Sequence, residues 1–215
     1  MNARQAPVRR YASRLRDAQA ASTRRAIVDA ATRLFIERGY GATSMDAIAA
    51  AAGVGRATVF TALGGKAAIL RRAYDTALMG EDEPGALRRH PAAMAIRAEP
   101  DPSRYLERYA ALVAGIGRRQ AGIHEAMRGA AATDPEVRSV FETLNDERRA
   151  GSGRVIGDLV AKGGLRDDLD PEAAADVVWV LNDPGLYHLL VTTRRWSDER
   201  FEVWLAATLR AQLLG

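Results

Sequence analysis

Cysteine is absent from this chain of 215 residues, and its absence excludes several classes of protein. A disulfide scaffold, a zinc site built on thiolates and a cysteine nucleophile all require this residue. Long apolar runs are absent as well, so we expect no membrane-spanning helix and no membrane partner. The Arg-rich N-terminus has no apolar stretch of the kind that a secretory signal needs, and we therefore expect a cytoplasmic protein.

The motifs of common enzyme classes are also missing. His90, His124 and His188 are far apart and form no H-x-x-x-H or H-E-x-x-H pattern. The sequence contains no G-x-S-x-G, no Walker loop and no G-x-G-x-x-G after a strand. We therefore predict a protein that is not an enzyme and that holds neither a metal nor a cofactor.

Charge is distributed unevenly along the chain. Residues 1–80 carry 13 basic and 5 acidic side chains, whereas residues 81–215 carry 18 and 22. Hydrophobic residues make up 47% and charged residues 27%, which is typical of a globular protein. A basic end joined to an acidic remainder is expected where one end meets a polyanion, although an ordinary solvated surface explains the same counts.

Apolar residues recur with helical spacing almost throughout, and no strand-like alternation stands out. The first helix is predicted to begin at a cap on Ser22 or Thr23. An Asp-Pro pair, the pattern of a helix start, occurs at Asp134, Asp170 and Asp183. We predict an all-α protein with three parts: a mobile basic arm at 1–21, a small bundle at 22–80 and a larger helical domain at 84–215. A helix near Tyr11–Ala21 is the alternative for part of the arm.

Two short helices joined by a glycine turn form the segment that indicates a function. Ser44 is a good N-cap, and Gly53 permits a sharp turn after the first helix. The second helix is predicted from about Arg56 to Leu63. Such a pair, at about 44–63, is a helix-turn-helix, whose second helix reads base edges in the major groove of DNA.

This segment resembles the DNA-binding domain of TetR-family transcriptional regulators. The matching residues are Gly39-Tyr40 with Thr43-Ser44, Ile48-Ala49 with Ala52-Gly53-Val54, Thr58-Val59-Phe60, and Lys66. Residues 163–190 and 194–214 are similar to the C-terminal end of many members, whereas about 81–160 carries no comparable signature. Phe60, Ala62 and Leu63 depart from the aromatic triplet that is common in the family, and a phosphate-binding tyrosine hydroxyl is lost with it.

The resemblance implies a dimeric, sequence-specific DNA-binding regulator, with repression relieved by a small-molecule inducer. Thr43 and Lys66 would hold phosphates, and Arg56 would read a guanine or, alternatively, touch only phosphate. Arg9, Arg10 and Arg14 would reach the minor groove or the backbone, unless the arm is simply a disordered tail. The full set of predicted DNA-contact residues is Thr43, Ser44, Gly55, Arg56, Ala57, Thr58, Phe60, Thr61 and Lys66.

The resemblance also implies an inducer pocket among the central helices and a two-fold dimer that reads a palindromic operator. Ordinary core packing is the alternative for each candidate pocket residue: Met94, Tyr105, Tyr109, His124, Met127, Phe141, Trp179 and Asn182. The candidate interface residues are Leu186, Leu190, Phe201, Trp204, Leu205 and Leu209, and the same apolar face could equally be buried inside one protomer. A second hypothesis, which the missing hydroxyl at Phe60 favours, is a helical ligand-binding or protein-interaction module whose helix-turn-helix does not bind DNA.

Overall fold

The computed structural model describes residues 6–80, 87 and 90–215, with side chains described from residue 16. In these ranges the chain is helical, and its only β pairing is an isolated bridge between Leu165 and Leu214. The all-α prediction is therefore confirmed. Residues 81–83, between the predicted small bundle and the predicted larger domain, and the side chains of Arg9, Arg10 and Arg14 lie outside the described part.

The chain divides into two compact units, Met1–Ala73 and Tyr74–Gly215. The boundary falls inside a helix. The first unit contains α1 (Ala6–Arg38), α2 (Met45–Ala52), α3 (Arg56–Leu63) and the first half of α4 (Lys66–Met79). Taken singly, no described helix is long and apolar enough to cross a membrane, and α2 and α3 pass that test of length and composition only as a bent pair.

The first helix differs from its prediction. The start expected at Ser22 or Thr23 is wrong, because α1 already begins at Ala6. Pro7 is tolerated in the first turn of a helix, and the residues that follow it are mostly good helix formers such as Ala and Arg. Ser22 and Thr23 are good capping residues, but no residue before them breaks the helix. The helix therefore continues through both.

The core of the first unit is assembled from one apolar stripe on each helix. Ile27 and Phe35 of α1 are fully buried, as are Ile48 of α2, Val59 of α3 and Leu70 of α4. Burying an aliphatic or aromatic side chain of this size contributes about 1.5–3 kcal/mol. These contacts hold the two short helices, which are too short to be stable alone.

The second unit begins with the end of α4 and is built from longer helices. They are α5 (Pro91–Arg97), α6 (Pro102–Ala131), α7 (Pro135–Ala161), α8 (Pro171–Leu181), α9 (Pro184–Tyr187), a π-helix (His188–Thr193) and α10 (Asp198–Leu213). The predicted Asp-Pro starts are confirmed. Asp134, for example, accepts hydrogen bonds from the backbone N–H groups of Glu136 and Val137 at 3.0 and 3.2 Å.

The apolar face of α10 lies inside the protomer. Phe201, Leu205 and Leu209 are fully buried, and with Leu213 they join a core that α6 and α8 also supply. These three residues of the candidate interface are therefore core residues and are not available to a partner subunit. Val203 is the large apolar residue that α10 exposes, at 68%, while Trp204 is half-buried.

A glycine in α6 allows α9 to approach closely. A Cβ atom at Gly117 would lie 2.6 Å from the ring of Tyr187. Tyr187 is buried and packs edge-on against Phe201, with ring centroids 5.0 Å apart. The lack of a side chain at Gly117 therefore decides where the short α9 and the following π-helix sit on the second unit.

Candidate DNA-binding surface and effector cleft

The predicted helix-turn-helix is present, with α2 and α3 bent by 97° at their turn. Ser44 caps α2, because its Oγ accepts a hydrogen bond from the backbone N–H of Ala47 at 3.1 Å. Gly53 ends α2 with φ at +68°, a left-handed conformation that glycine adopts without strain. The 97° bend between α2 and α3 agrees with the 90–120° between helices that is typical of this motif.

The recognition helix α3 has one anchored face and one open face. Val59 is fully buried against the core, whereas Arg56, Ala57, Thr58, Phe60 and Thr61 are exposed. Gly55 precedes them as an N-cap without a side chain. The Thr61 hydroxyl donates to the Ala57 carbonyl at 2.9 Å, so its proton is already used within the helix. The predicted contact residues of α3 therefore share one accessible surface.

Arg56 is held by two neighbours on this surface. Its Nη1 atom lies 3.2 Å from Oδ2 and 3.5 Å from Oδ1 of Asp46, in the first turn of α2. Its guanidinium carbon lies 5.8 Å from the centroid of the Phe60 ring. The side chains of Arg56 and Asp46 are 58% and 68% exposed, so the pair faces solvent. The sequence interpretation identified Arg56 but not Asp46 as its partner.

Thr43 is not a surface residue. Its side chain is buried, and its hydroxyl lies 2.8 Å from the Gly39 carbonyl and 3.2 Å from the Leu34 carbonyl. Because one hydroxyl proton serves these two acceptors inside the domain, the predicted phosphate contact of the Thr43 side chain is not supported. Thr43 instead fastens the loop before α2 to the end of α1.

Lys66 is half-buried at the start of α4 and already has a partner. Its Nζ donates to the Tyr40 carbonyl at 2.9 Å and lies 4.0 Å from the centroid of the Tyr40 ring. An ammonium group has three N–H donors, so further donors remain for a phosphate. The predicted phosphate role of Lys66 is therefore compatible with the structure but shared with a structural one.

A cleft of about 680 Å³ opens in the second unit, at the meeting point of α6, α7, α8 and the α9–π segment. Of the predicted pocket residues, His124, Phe141 and Trp179 line it. The remaining walls come from Glu125, Arg128, Glu142, Asn145, Asp146, Arg148, Asp183, Gly185, His188 and Leu189. A volume of this size is in the range that small-molecule sites occupy.

Five predicted pocket residues lie elsewhere in the unit. Met94 is 58% exposed on α5, whereas Tyr105 and Met127 are buried core residues. Tyr109 and Asn182 bond to each other, since the Asn182 amide donates to the Tyr109 hydroxyl at 2.9 Å. Burial raises the pKa of Tyr109, which keeps its hydroxyl neutral. The apolar periodicity that selected these residues also describes ordinary core positions.

The positive charges around the cleft are already paired. Arg148 reaches the carbonyl of Trp179, Asn182 Oδ1 at 2.8 Å, Asn145 Oδ1 at 3.1 Å and Asp183 Oδ2 at 2.8 Å. Arg128 bonds Glu125 through three contacts of 2.6–3.2 Å. The sequence interpretation missed Arg148, because α7 contains four arginines and no local pattern distinguishes the one that is buried against polar partners.

Two carboxylates of the cleft remain without a partner. Among the residues that the structure describes, Glu142 and Asp146 form neither a hydrogen bond nor an ion pair, and both are exposed on successive turns of α7. The buried Nε1 atom of Trp179 likewise finds no acceptor within the described chain. The cleft is thus lined by four carboxylates and by two arginines that are already paired.

His124 stands between the cleft and the end of α4. Its side chain is 3% exposed, with Nδ1 3.5 Å from the Tyr74 hydroxyl and Nε2 3.5 Å from Asp183 Oδ1. Burial lowers its pKa, although the nearby Asp183 and Glu125 carboxylates oppose that shift. His124 is therefore neutral at neutral pH. In the described ranges no group of three or more His, Cys, Asp or Glu side chains is placed so that it could hold a metal ion.

The geometry of the first unit defines a helix-turn-helix protein of the DNA-binding type. Residues 27–73 match the family model described as bacterial regulatory proteins, tetR family. The match begins inside α1 and ends at the boundary of the first unit. The resemblance of the motifs to the TetR family is therefore confirmed for this part of the chain.

Three relatives extend the comparison to the second unit. YdeS of Bacillus subtilis (strain 168), named as an HTH-type transcriptional regulator, is 26% identical over 181 residues, or 82% of either chain. A protein of Saccharomonospora viridis, described as a transcriptional regulator and solved in complex with choline, has a TM-score of 0.68 at 21% identity, over 89% of this chain and 97% of its own. NalD of Pseudomonas aeruginosa, the secondary repressor of the MexAB-OprM multidrug efflux pump, has a TM-score of 0.64 at 23% identity, covering 89% and 96%. The two structural likenesses show a shared fold across both units.

Proposed function

We propose that the protein is a cytoplasmic homodimeric repressor that binds a palindromic operator and leaves it when a small molecule occupies the cleft. The observation that carries this proposal is the open face of α3, where Arg56 leads a row of exposed side chains on a domain that matches the TetR family. NalD, which shares the fold and is a repressor, supports repression rather than activation.

DNA recognition is tested by selection from a random-sequence duplex pool, followed by binding measurements over a salt series. The wild-type protein is expected to enrich an inverted repeat with half-sites roughly 34–36 Å apart or a multiple of that spacing. Arg56→Ala is expected to lower discrimination at one base position by about 5- to 150-fold, the range of a bidentate arginine–base pair. Arg154→Ala, which removes an exposed arginine from α7, is the matched control and should leave the motif unchanged.

Dimerisation is proposed through the outer faces of the α9–π segment and α10. Leu186, Leu190 and Trp204 are half-buried there, and Val203 is exposed. A single helix-turn-helix makes too few base contacts for an operator, and a two-fold pair doubles them. Light scattering at micromolar concentration tests the proposal, because a monomeric mass would contradict it.

The effector is proposed to be a neutral or cationic organic molecule. Both arginines of the cleft are paired, and an anion would meet the free carboxylates of Glu142 and Asp146. The Phe141 ring suits an apolar or cationic body, since aromatic rings attract cations. The Trp179 ring already carries the Arg148 guanidinium, whose carbon lies 4.6 Å from the ring centroid. The choline bound to the relative from Saccharomonospora viridis supports this class.

Three molecules of similar shape separate the possibilities: choline, the uncharged 3,3-dimethylbutan-1-ol and the anion 3,3-dimethylbutanoate. Thermal shift and release of operator DNA are measured with each. We expect a response to the cation or the alcohol and none to the anion, and Glu142→Gln with Asp146→Asn should weaken the response to the cation alone. A response to the anion as strong as that to the cation would overturn the assignment.

A further inference from the structure

The ion pair between Arg56 and Asp46 lies on the surface that the proposed function assigns to DNA, which is an unusual place for a carboxylate. An exposed carboxylate on such a surface repels phosphates, and a surface ion pair adds about 0–1 kcal/mol to stability. Asp46 lies in the first turn of α2, where a carboxylate favours the helix dipole, but that effect does not require the carboxylate to contact Arg56 across the turn between α2 and α3. Its effect should instead be sought in DNA recognition.

The contact with Asp46 uses one part of the guanidinium and leaves another free. Both carboxylate oxygens approach the same nitrogen, Nη1 of Arg56. Among the described residues, Nε and Nη2 have no hydrogen-bond acceptor. These two nitrogens form one planar edge with parallel N–H donors, which is the fork that binds O6 and N7 of a guanine.

Phe60 restrains the guanidinium from a second direction. Its ring is 47% exposed and lies 5.8 Å from the Arg56 guanidinium carbon, within the range of a cation–π contact. Phenylalanine lacks the hydroxyl that the corresponding tyrosine of the family would offer to a phosphate, but it keeps the ring. The ring at this position therefore has a role that does not need the hydroxyl.

We propose that Asp46 and Phe60 are positioning residues that hold Arg56 with its Nε–Nη2 edge directed at a guanine of the operator. Asp46 thereby determines specificity in two ways. It pre-orders a flexible side chain for the bidentate base contact, and it keeps the Arg56 charge from serving equally well as a phosphate contact on any sequence. This inference depends on the proposed DNA-binding function.

The test compares Asp46→Asn with Asp29→Asn. Asp29 is exposed on α1 without a partner among the described residues, so both substitutions remove one negative charge from the same unit. Affinities for the selected operator and for a scrambled duplex are measured at several salt concentrations. Asp46→Asn is expected to weaken operator binding about five- to tenfold, part of the discrimination of a bidentate pair, without weakening binding to scrambled DNA. Asp29→Asn should leave the ratio of the two affinities unchanged.

Two further variants separate positioning from a general structural effect. In an Arg56→Ala background, Asp46→Asn should no longer change the ratio, because the side chain that it positions is gone. Phe60→Tyr should keep the ratio and Phe60→Leu should lower it. Thermal melts of all variants verify that the first unit stays folded.

The outcomes distinguish this inference from the function on which it rests. If the wild-type protein enriches no sequence, the proposed function fails. If it enriches a motif that Asp46→Asn enriches equally well, the positioning role is refuted. An equal change in both affinities, in either direction, also refutes it, because general charge or general stability would then explain the effect.

Discussion

Shortening Leu205 to alanine separates the two interpretations of the apolar face of α10. Leu205 is completely buried within one protomer, between residues of α6 and α8. The substitution removes three carbon atoms, at about 0.8 kcal/mol for each buried methylene, and leaves a cavity that the neighbours fill only in part. Together these terms predict a loss of about 3 kcal/mol in the free energy of unfolding, near the middle of the range for such substitutions.

The loss is measured by urea denaturation followed by circular dichroism, at two protein concentrations tenfold apart. For a chain of this length, about 3 kcal/mol corresponds to a melting point lower by roughly 6–12 °C. The variant should still be a dimer at concentrations where it is folded, because Leu205 faces inward. A variant with wild-type stability and a monomeric mass would refute the assignment of Leu205 to the core.

The opposite face of α10 provides the complementary test. Val203→Asp places a charge on a side chain that is 68% exposed, so the protomer should fold with nearly unchanged stability. We expect this charge to dissociate the proposed dimer, since an unpaired charge in an apolar interface is costly. Val160→Asp changes an equally apolar residue, 48% exposed on α7, and is the control that should remain dimeric.

Three further predictions concern residues whose roles the structure changed or added. Thr43→Val should lower the stability of the first unit by about 1–2 kcal/mol, because a buried hydroxyl with two acceptors is lost. It should leave the affinity for DNA unchanged at a temperature where the variant is fully folded, and weaker binding there would restore the phosphate contact. Because His124 has a lowered pKa in the folded state and titrates near 6.5 in the unfolded chain, the unfolded state binds the extra proton, and stability should fall as the pH drops below about 6.5. His124→Gln should flatten that part of the pH profile, which denaturation at pH 5–8 would reveal. Gly117→Ala should destabilise the second unit markedly, because the new Cβ atom would clash with the Tyr187 ring. A melting point within 2 °C of wild type, which corresponds to a loss of under roughly 1 kcal/mol, would contradict this reasoning.

Local features were predicted best where a short stretch of chain suffices to produce them. The Asp-Pro helix starts depend on the proline ring and on a carboxylate that caps the N–H groups of the same turn. The helix-turn-helix likewise follows from the cap at Ser44, the left-handed Gly53 and the buried face of α3. The start of α1 was misplaced for the same local reason, since a capping residue was present but the helix before it was not interrupted.

Long-range contacts decided the candidate sites. Apolar spacing marked Phe201, Leu205 and Leu209 as members of one face, but periodicity does not say whether that face packs within the chain or against a second copy. It could not distinguish Met127, a core residue, from His124 on the cleft, because both belong to the same helix. The partners that set the chemistry, Asp46 for Arg56 and Asp183 for Arg148, are 10 and 35 residues away in the sequence.

The sequence alone was enough to predict the helical class of the fold, the helix-turn-helix and its resemblance to the TetR family. Caps, turns and apolar periods act over a few residues, which is why they can be read from the chain. The tertiary structure alone decided which charges are already neutralised and which polar groups are free. Those properties depend on distances of about 3 Å between side chains from different helices. No local pattern in the chain encodes such distances, and they determine what the open face of α3 and the cleft can bind.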